Sequence, residues 1–537
     1  IGTSKKNVDG KKIITGKPLF GLDFNREGMK LAMIQHPPAF GMKLKDFNEE
    51  EIKRMAGVTD AFIIDTTIEG PDWSDEKGFL QLIAIVGDST WQLMKAKKAI
   101  KANWEMVSEL ENSRMHVQKL EDAMETGEVQ ESRVDGNPED AFKKAVKVIE
   151  KTYTSPFLPH NTMEPMNFFA NVTENSAELI GPTQSPEALE KSVSKLLNIP
   201  IENISVNMTR MGGGFGRRLY VHFGVEAAAI SKRIGKPVKL IYTREDDMSQ
   251  GTYRPAYQAK YKAGLDEKNN LIAFTVRGAG LPESPIFPDR FPAGAVDHYS
   301  AERVDGKTNI TTGAWRAPRS HFTAGAEQSF LDEIAELAGK DPIDFRLELF
   351  DRAIKNPVGE KHEYEAERYA GVLKLVKEKS NWGETKPGIY RGVSAYFCHS
   401  SYVAEVVDLS LENGQPKVKK VWCAVDCGIV VNHDAAINMV QGGVIDGIGH
   451  AMYSELTFEN GTPNETNFDR YQLMRHSQAP EEIEVFFVKN DIAPTGLGEP
   501  GLPPAIGALA NAIYKATGQR LTELPFVNQI KVKKLVG

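Results

Sequence analysis

Two glycine-rich loops, one in each half of the chain, run directly into helices, and this restricts the fold to interleaved strands and helices. The first is GGGFGRR, Gly212–Arg218, after a strand-like run Ile204–Met208 and before a helix-like run Phe223–Ile234 that stops at Gly235. The second is GLGEP, residues 496–500, followed by LPPAIGALANAIYKAT, Leu502–Thr517, with apolar residues at helical spacing until Gly518. Consecutive glycines let backbone N–H groups face oxygen atoms of a bound group without an intervening side chain. The first loop lacks the Lys-Ser or Lys-Thr of a phosphate-binding loop, and its glycine spacing does not fit a dinucleotide fingerprint. In the second, Glu499 sits near the positive end of a helix, a setting for an ionised base in a dry pocket. Each loop also has a plain reading: a turn with two solvated arginines, and a turn with a surface glutamate.

Two more loops have the same form. In GPTQSP, Gly181–Pro186, Ser185, Pro186 and Glu187 read as cap, first-turn proline and first-turn acid of an amphipathic helix, Glu187–Leu197. Gln184 then projects just before a helix N-terminus, as an amide donor to a bound oxygen or as a partner of its own loop. In GAWRAPR, Gly313–Arg319, a Gly/Pro-framed arginine precedes a helical run Thr323–Ala338 and suits an anionic ligand or a surface carboxylate.

At 537 residues the chain is long enough for three or four domains. Residues 1–105 mix short strands (Lys30–Gln35, Gly57–Thr66, Leu80–Val86) with helices at Glu49–Ala56 and Thr90–Ala102. Residues 106–140 are charged and read as a linker, partly helical at Glu109–Glu125. From 141 to 350 strands and helices alternate around three of the loops. Residues 351–389 read as a helical connector, and 390–537 as a second α/β unit. The pair of glycine loops hints at pseudo-duplication. A net charge of −8 argues against nucleic acid as a partner. Three cysteines, Cys398, Cys423 and Cys427, cannot hold an iron–sulfur cluster through four thiolates, and they read as buried free thiols.

Taken in order, these segments resemble a known family. GKPLFGLDF, HNTMEPMN (160–167), GPTQSP, MGGGFGRR, TREDDM (243–248), GAWRAP, AVDCGIVVN (424–432) and GLGEPGLPPAIGALANAI are similar to the large, molybdenum-binding subunit of the molybdenum hydroxylases, the xanthine oxidase and aldehyde oxidoreductase family. The double arginine and MEPMN point to the branch of the isoquinoline 1-oxidoreductase β subunits. The resemblance implies an α+β, multi-domain fold. A small hammerhead-type domain (1–105) precedes the two molybdopterin-binding parts (141–350 and 390–537).

It also implies a chemistry: hydroxylation of an isoquinoline-like N-heteroaromatic, or oxidation of an aldehyde, with water as the oxygen source. Glu499 would be the base. Gln184, Gly213, Gly214, Phe215, Gly216, Arg316, Gln441, Gly442 and Gly498 would hold the cofactor, with Gln441 and Gly442 in a loop-to-helix region. Leu219, where purine-converting members carry an acid, and Trp315 would line the substrate pocket. The metal would be held by the dithiolene of its pterin, expected in the cytosine dinucleotide form, and not by the protein. Electrons would leave to a small two-iron–two-sulfur subunit and then to a c-type cytochrome or other acceptor. The family's Gly-Gln-Gly loop is absent from these residues, so a preceding domain or a separate chain is expected to supply it. The alternative from another class is a cofactor-binding or assembly subunit without turnover. A periplasmic location is favoured over a cytoplasmic one by resemblance.

Overall fold

The computed structural model describes residues 1–359 and 362–530. Its strands form three large sheets. The first has seven strands in the order Ile204–Met208, Ala177–Gly181, Asn167–Val172, Val238–Ile241, Lys30–Gln35, Gln81–Gly87, Val58–Asp65. Lys30–Gln35 pairs parallel with Val238–Ile241 on one side and antiparallel with Gln81–Gly87 on the other. Its middle residues Ala32, Met33 and Ile34 are buried on both faces. A strand of that kind needs a neighbour at each edge. Residues 1–105 therefore share a sheet with residues 167–241, and the expected boundary at 105 does not divide the fold there.

The second sheet has the order Val129–Asp135, His298–Asp305, Leu271–Leu281, Ala256–Leu265, Lys147–Ser155. The segment 106–140, expected as a linker partly helical at Glu109–Glu125, carries the helix Ser113–Thr126 close to that expectation, and in addition supplies this edge strand. VQESRVD is polar because an edge strand half open to water needs no apolar alternation, so its strand character is invisible to periodicity.

The third sheet runs Tyr390–Cys398, Ser401–Glu412, Gln415–Asp426, Glu482–Phe487, the last pair parallel. Helix Pro503–Thr517 lies across its first two strands and against helix Ser320–Leu337. Both helices bury nearly their whole surface, and Gly518 closes the former in the left-handed conformation. Helix Pro342–Lys355 starts at a capped proline, with the Asp341 carboxylate accepting from Ile343 N and Asp344 N at 2.9 and 3.1 Å. Helix Ala366–Lys379 packs on the third sheet, so the expected connector is part of that layer. The four predicted loops meet where the helices Pro503–Thr517 and Ser320–Leu337 begin.

Candidate active site

The glycine loop turns on positive φ angles at Gly213 (+105°), Phe215 (+54°) and Gly216 (+103°). Close neighbours crowd its glycines. A Cβ on Gly214 would stand 2.5 Å from Gln184 Oε1, and one on Gly216 would overlap the Ala314 carbonyl oxygen. The glutamine and arginine loops thus press on the glycine loop from two sides. Phe215 is 41 % exposed and is the large side chain on its open face.

The two arginines that follow are not solvated; both are buried. Arg218 donates to Gly213 O (2.7 Å) and Glu164 O (2.8 Å) and faces Glu164 Oε2 at 3.3 Å. Glu164 Oε2 in turn accepts from Gly212 N at 2.6 Å. Arg217 donates to Asp247 Oδ1 at 3.1 Å and lies 3.1 Å from His222 Nε2. Burial lowers the Arg218 guanidinium to about 10, against the attraction of Glu164. These ion pairs form the floor on which the loop rests, and removing one partner of such a pair costs about 3–5 kcal/mol. His160 belongs to the same support, with Nε2 2.8 Å from Ala314 O.

Gln184 is exposed, and its backbone N–H donates to Arg218 O at 2.9 Å. The helix after it starts at Pro186 as predicted, but Ser185 does not cap it through its side chain; the Ser185 N–H donates to Thr183 Oγ1 instead.

Arg316 ties the site together. Its Nε and Nη2 donate to Gly498 O at 3.1 and 2.6 Å, and Nη1 donates to Gly442 O at 3.2 Å and Asp446 Oδ2 at 3.1 Å. Its backbone N–H donates to Phe215 O at 3.0 Å, and its guanidinium stands 5.6 Å from the Phe215 ring centre. Burial raises the Asp446 carboxyl, opposed by Arg316. Arg316 therefore joins the glycine loop, the glutamate loop and helix His433–Tyr453.

Trp315 departs from its expected place in a substrate pocket. It is buried, donates from Nε1 to Pro159 O at 3.2 Å, and is flanked by the His321 and His450 rings at 5.3 and 5.1 Å. With the Arg316 side chain bonded to Gly498, Gly442 and Asp446, the large indole is left to the core. Gln441 and Gly442 also depart from expectation. They lie inside the 21-residue helix His433–Tyr453, not at a loop-to-helix junction. The glycines there suggest a loop in sequence, but they let the helix pack closely: a Cβ on Gly447 would stand 2.5 Å from Leu502 O. Gln441 Nε2 donates to Ile483 O at 3.0 Å, while open space lies over Gly442.

Glu499 is 31 % exposed by side chain. Its backbone carbonyl accepts from Leu502 N at 2.9 Å, which sets the turn into the helix. Its Oε2 meets His399 Nε2, and no hydrogen bond engages Oε1 among the described residues. Hydrogen bonds with Cys398 and then with Glu499 raise the His399 imidazole to about 10 despite partial burial. The sequence reading missed His399, which lies 100 positions from Glu499. The available signal was a two-residue connection, His399-Ser400, between strands, without the Asn or Gly such turns favour. Leu219 is half-buried in the short turn Arg217–Leu219 directly after the glycine loop.

Residues 120–350 match the family model of a molybdopterin cofactor-binding domain, and residues 327–480 match a second molybdopterin cofactor-binding domain. The fold and these matches define a molybdopterin-binding protein. The chain is 28 % identical to a membrane-bound aldehyde dehydrogenase (pyrroloquinoline-quinone) of Gluconacetobacter polyoxogenes, over 98 % of this chain and 71 % of that one. It is 26 % identical to isoquinoline 1-oxidoreductase subunit beta of Brevundimonas diminuta, over 98 % of this chain and 68 % of that one. The crystal structure of quinoline 2-oxidoreductase from Pseudomonas putida 86 has the same fold, with a TM-score of 0.79 at 14 % identity over 98 % of this chain and 97 % of that one. The chain belongs to the molybdenum hydroxylase family, as a large molybdopterin-binding subunit, and is an oxidoreductase of that class.

The open face fits such a cofactor. Gln184 offers an exposed amide, the glycine loop presents half-buried Gly213 and exposed Phe215, and the space over Gly442 is open. Cys398, Cys423 and Cys427 are all buried, so this face offers no thiolate to compete with a pterin dithiolene.

Proposed function

We propose that this subunit oxidises an isoquinoline-like N-heteroaromatic ring carbon, or an aldehyde, with water as the oxygen source, and that Glu499 is the general base. The observation that carries this reading is the convergence on Arg316. One residue links Gly498, next to Glu499, and Gly442 through its guanidinium, and Phe215 of the glycine loop through its backbone N–H. The glutamate loop, with its one carboxylate, is thereby tied to the glycine loop.

Gln184, Gly213, Gly214, Phe215 and Gly216 would hold the molybdopterin on one side, and Gly442 and Gly498 on the other. When bound, the cofactor would supply a metal that lowers the pKa of water and a centre to take the two electrons of the oxidation. Glu499 Oε1, without a hydrogen bond among the described residues, would take the proton that water releases. Phe215 offers a flat apolar surface to an aromatic substrate, and Leu219 adds an apolar wall nearby. Arg316 keeps the Glu499 loop from moving away as the carboxylate takes its proton.

The cytosine dinucleotide form of the cofactor, a two-iron–two-sulfur partner subunit, a c-type cytochrome as acceptor, a separate segment bearing a Gly-Gln-Gly loop, and a periplasmic location complete the proposal. They rest on the family resemblance. The name of the Gluconacetobacter relative contains a quinone; the molybdopterin models, matched across residues 120–480, favour molybdopterin here.

The test is Glu499→Gln in the assembled enzyme. A general base contributes about 10²- to 10⁴-fold, so kcat falls by that factor while molybdenum content and thermal midpoint stay at wild-type values. More than a tenth of wild-type activity at equal metal content overturns the role of Glu499.

A further inference from the structure

Resting on the reading of Glu499 as the base, we propose that His399 is its positioning residue: a strained hairpin tip that grips one carboxylate oxygen and leaves the other for proton transfer. The tip joins the strands Tyr390–Cys398 and Ser401–Glu412, in register at Cys398 and Ser401. His399 and Ser400 both take positive φ, +51° and +59°. Turns of this geometry favour Asn and Gly, because a Cβ crowds the backbone there. A histidine followed by a serine opposes that preference, and local strain of this kind points to a function that maintains it.

The tip is fastened to the glutamate loop by its backbone. Gly496 N donates to His399 O at 3.1 Å. Ser401 Oγ hydrogen-bonds Gly496 O and lies 2.6 Å from Thr495 Oγ1. A Cβ on Gly496 would stand 2.5 Å from His399 Cβ, so the loop must be bare at that point for the two segments to touch. The imidazole is thus carried to Glu499 Oε2 by a rigid mount. It is 51 % exposed, so core packing does not explain it. The titratable groups that face it are Cys398, at the end of its own strand, and Glu499 on the opposite loop. Its protonated form is held above the ordinary range by both.

A fixed N–H on Oε2 restricts the rotation of the carboxylate and leaves Oε1, which has no hydrogen bond among the described residues, for proton transfer. That is the preorganisation a base needs.

Two substitutions separate this role from a purely structural one. In His399→Gln the amide nitrogen occupies the place of Nε2, so the donor to Glu499 is kept and the turn stays strained. In His399→Asn the turn is relieved, since Asn tolerates positive φ, but the donor no longer reaches. Positioning predicts that Asn lowers kcat at least tenfold with KM within twofold, unchanged molybdenum and an equal or higher thermal midpoint, while Gln keeps more than a third of kcat. A structural role predicts the reverse order. Wild-type activity that depends on protonated His399 also falls as pH rises through about 10, and the Gln variant lacks that fall.

A readout without turnover is the imidazole itself. With histidines selectively isotope-labelled in the full chain, the His399 resonance titrates well above neutrality in wild type and at least one pH unit lower in Glu499→Gln. Equal titration in both, or Asn with wild-type kcat and pH profile, overturns the proposal. If Glu499→Gln is itself active, the reading of the base fails instead; if it is inactive while Asn is fully active, only the role of His399 fails.

Discussion

Arg316 gives its donors to a carbonyl beside the proposed base, a carbonyl in the middle of a helix and the Asp446 carboxylate. A lysine at that position is a point charge that cannot span the three acceptors. Arg316→Lys is therefore expected to lower the free energy of unfolding by about 1.5–3 kcal/mol, the range for hydrogen bonds to a charged group. Urea denaturation measures this, and metal analysis of the same preparation should show reduced molybdenum occupancy. The residues that meet here come from positions 184, 213–216, 316, 442 and 498–499. Each loop was recognisable in sequence as a turn before a helix, because Gly, Pro and cap residues act locally. Which side chain faces the ligand was not local information. Trp315 and Arg316 are adjacent, and only packing placed the indole inside and the guanidinium at the junction. His399 carried no local signal beyond an unusual turn composition.

At the level of elements, the glycine loop separates two uses of glycine. Gly216 combines φ of +103° with a carbonyl oxygen in the place of a Cβ. Gly216→Ala must move the arginine loop, and a loss of about 3 kcal/mol follows from strain and overlap together. Gly214 has ordinary φ, and its added Cβ would meet the far end of the flexible Gln184. Gly214→Ala should cost less than about 1 kcal/mol yet displace that amide and lower activity. Thermal unfolding beside kcat distinguishes the two.

Helix Ser320–Leu337 offers a pH test. Burial raises the Glu327 carboxyl to about 8, with the Gln328 amide opposing. The folded chain thus keeps a proton that the unfolded chain, titrating near the ordinary 4.5, has already released. Stability therefore falls as pH rises from about 4.5 to about 8, by up to ~1.4 kcal/mol per pH unit for this one group. Glu327→Gln should flatten the slope relative to wild type, and denaturation midpoints at pH 5, 6, 7 and 8 measure it. The elements were mostly legible: Lys30–Gln35, Phe223–Ile234 and Leu502–Thr517 lie within a residue or two of their observed bounds. Val129–Asp135 was not, because a polar edge strand has no apolar period.

For the whole molecule, the testable consequence is substrate choice. A leucine at 219 cannot hydrogen-bond a purine ring nitrogen, and burying that polar edge unpaired costs on the order of 1–3 kcal/mol. Apolar fused rings with one nitrogen, or aromatic aldehydes, should thus show higher kcat/KM than xanthine, by about 5- to 150-fold from the same range. Competition assays on the assembled enzyme decide it. A higher value for xanthine would remove the pocket argument without touching the family assignment.

The sequence by itself determined the mixed strand-and-helix character, the helix starts, the four loops that run into helices and the family, since all of these rest on short-range signals: glycine where the backbone must turn, proline and acids at helix starts, apolar residues at fixed spacing. Only the tertiary structure decided that residues 30–87 and 167–241 complete one sheet, that Arg217 and Arg218 lie beneath the glycine loop as buried ion pairs, and that His399 meets Glu499 across 100 residues. Strand order, ion-pair partners and side-chain facing are set by contacts between distant segments, and their free energy appears only when the segments have packed and water has left the space between them.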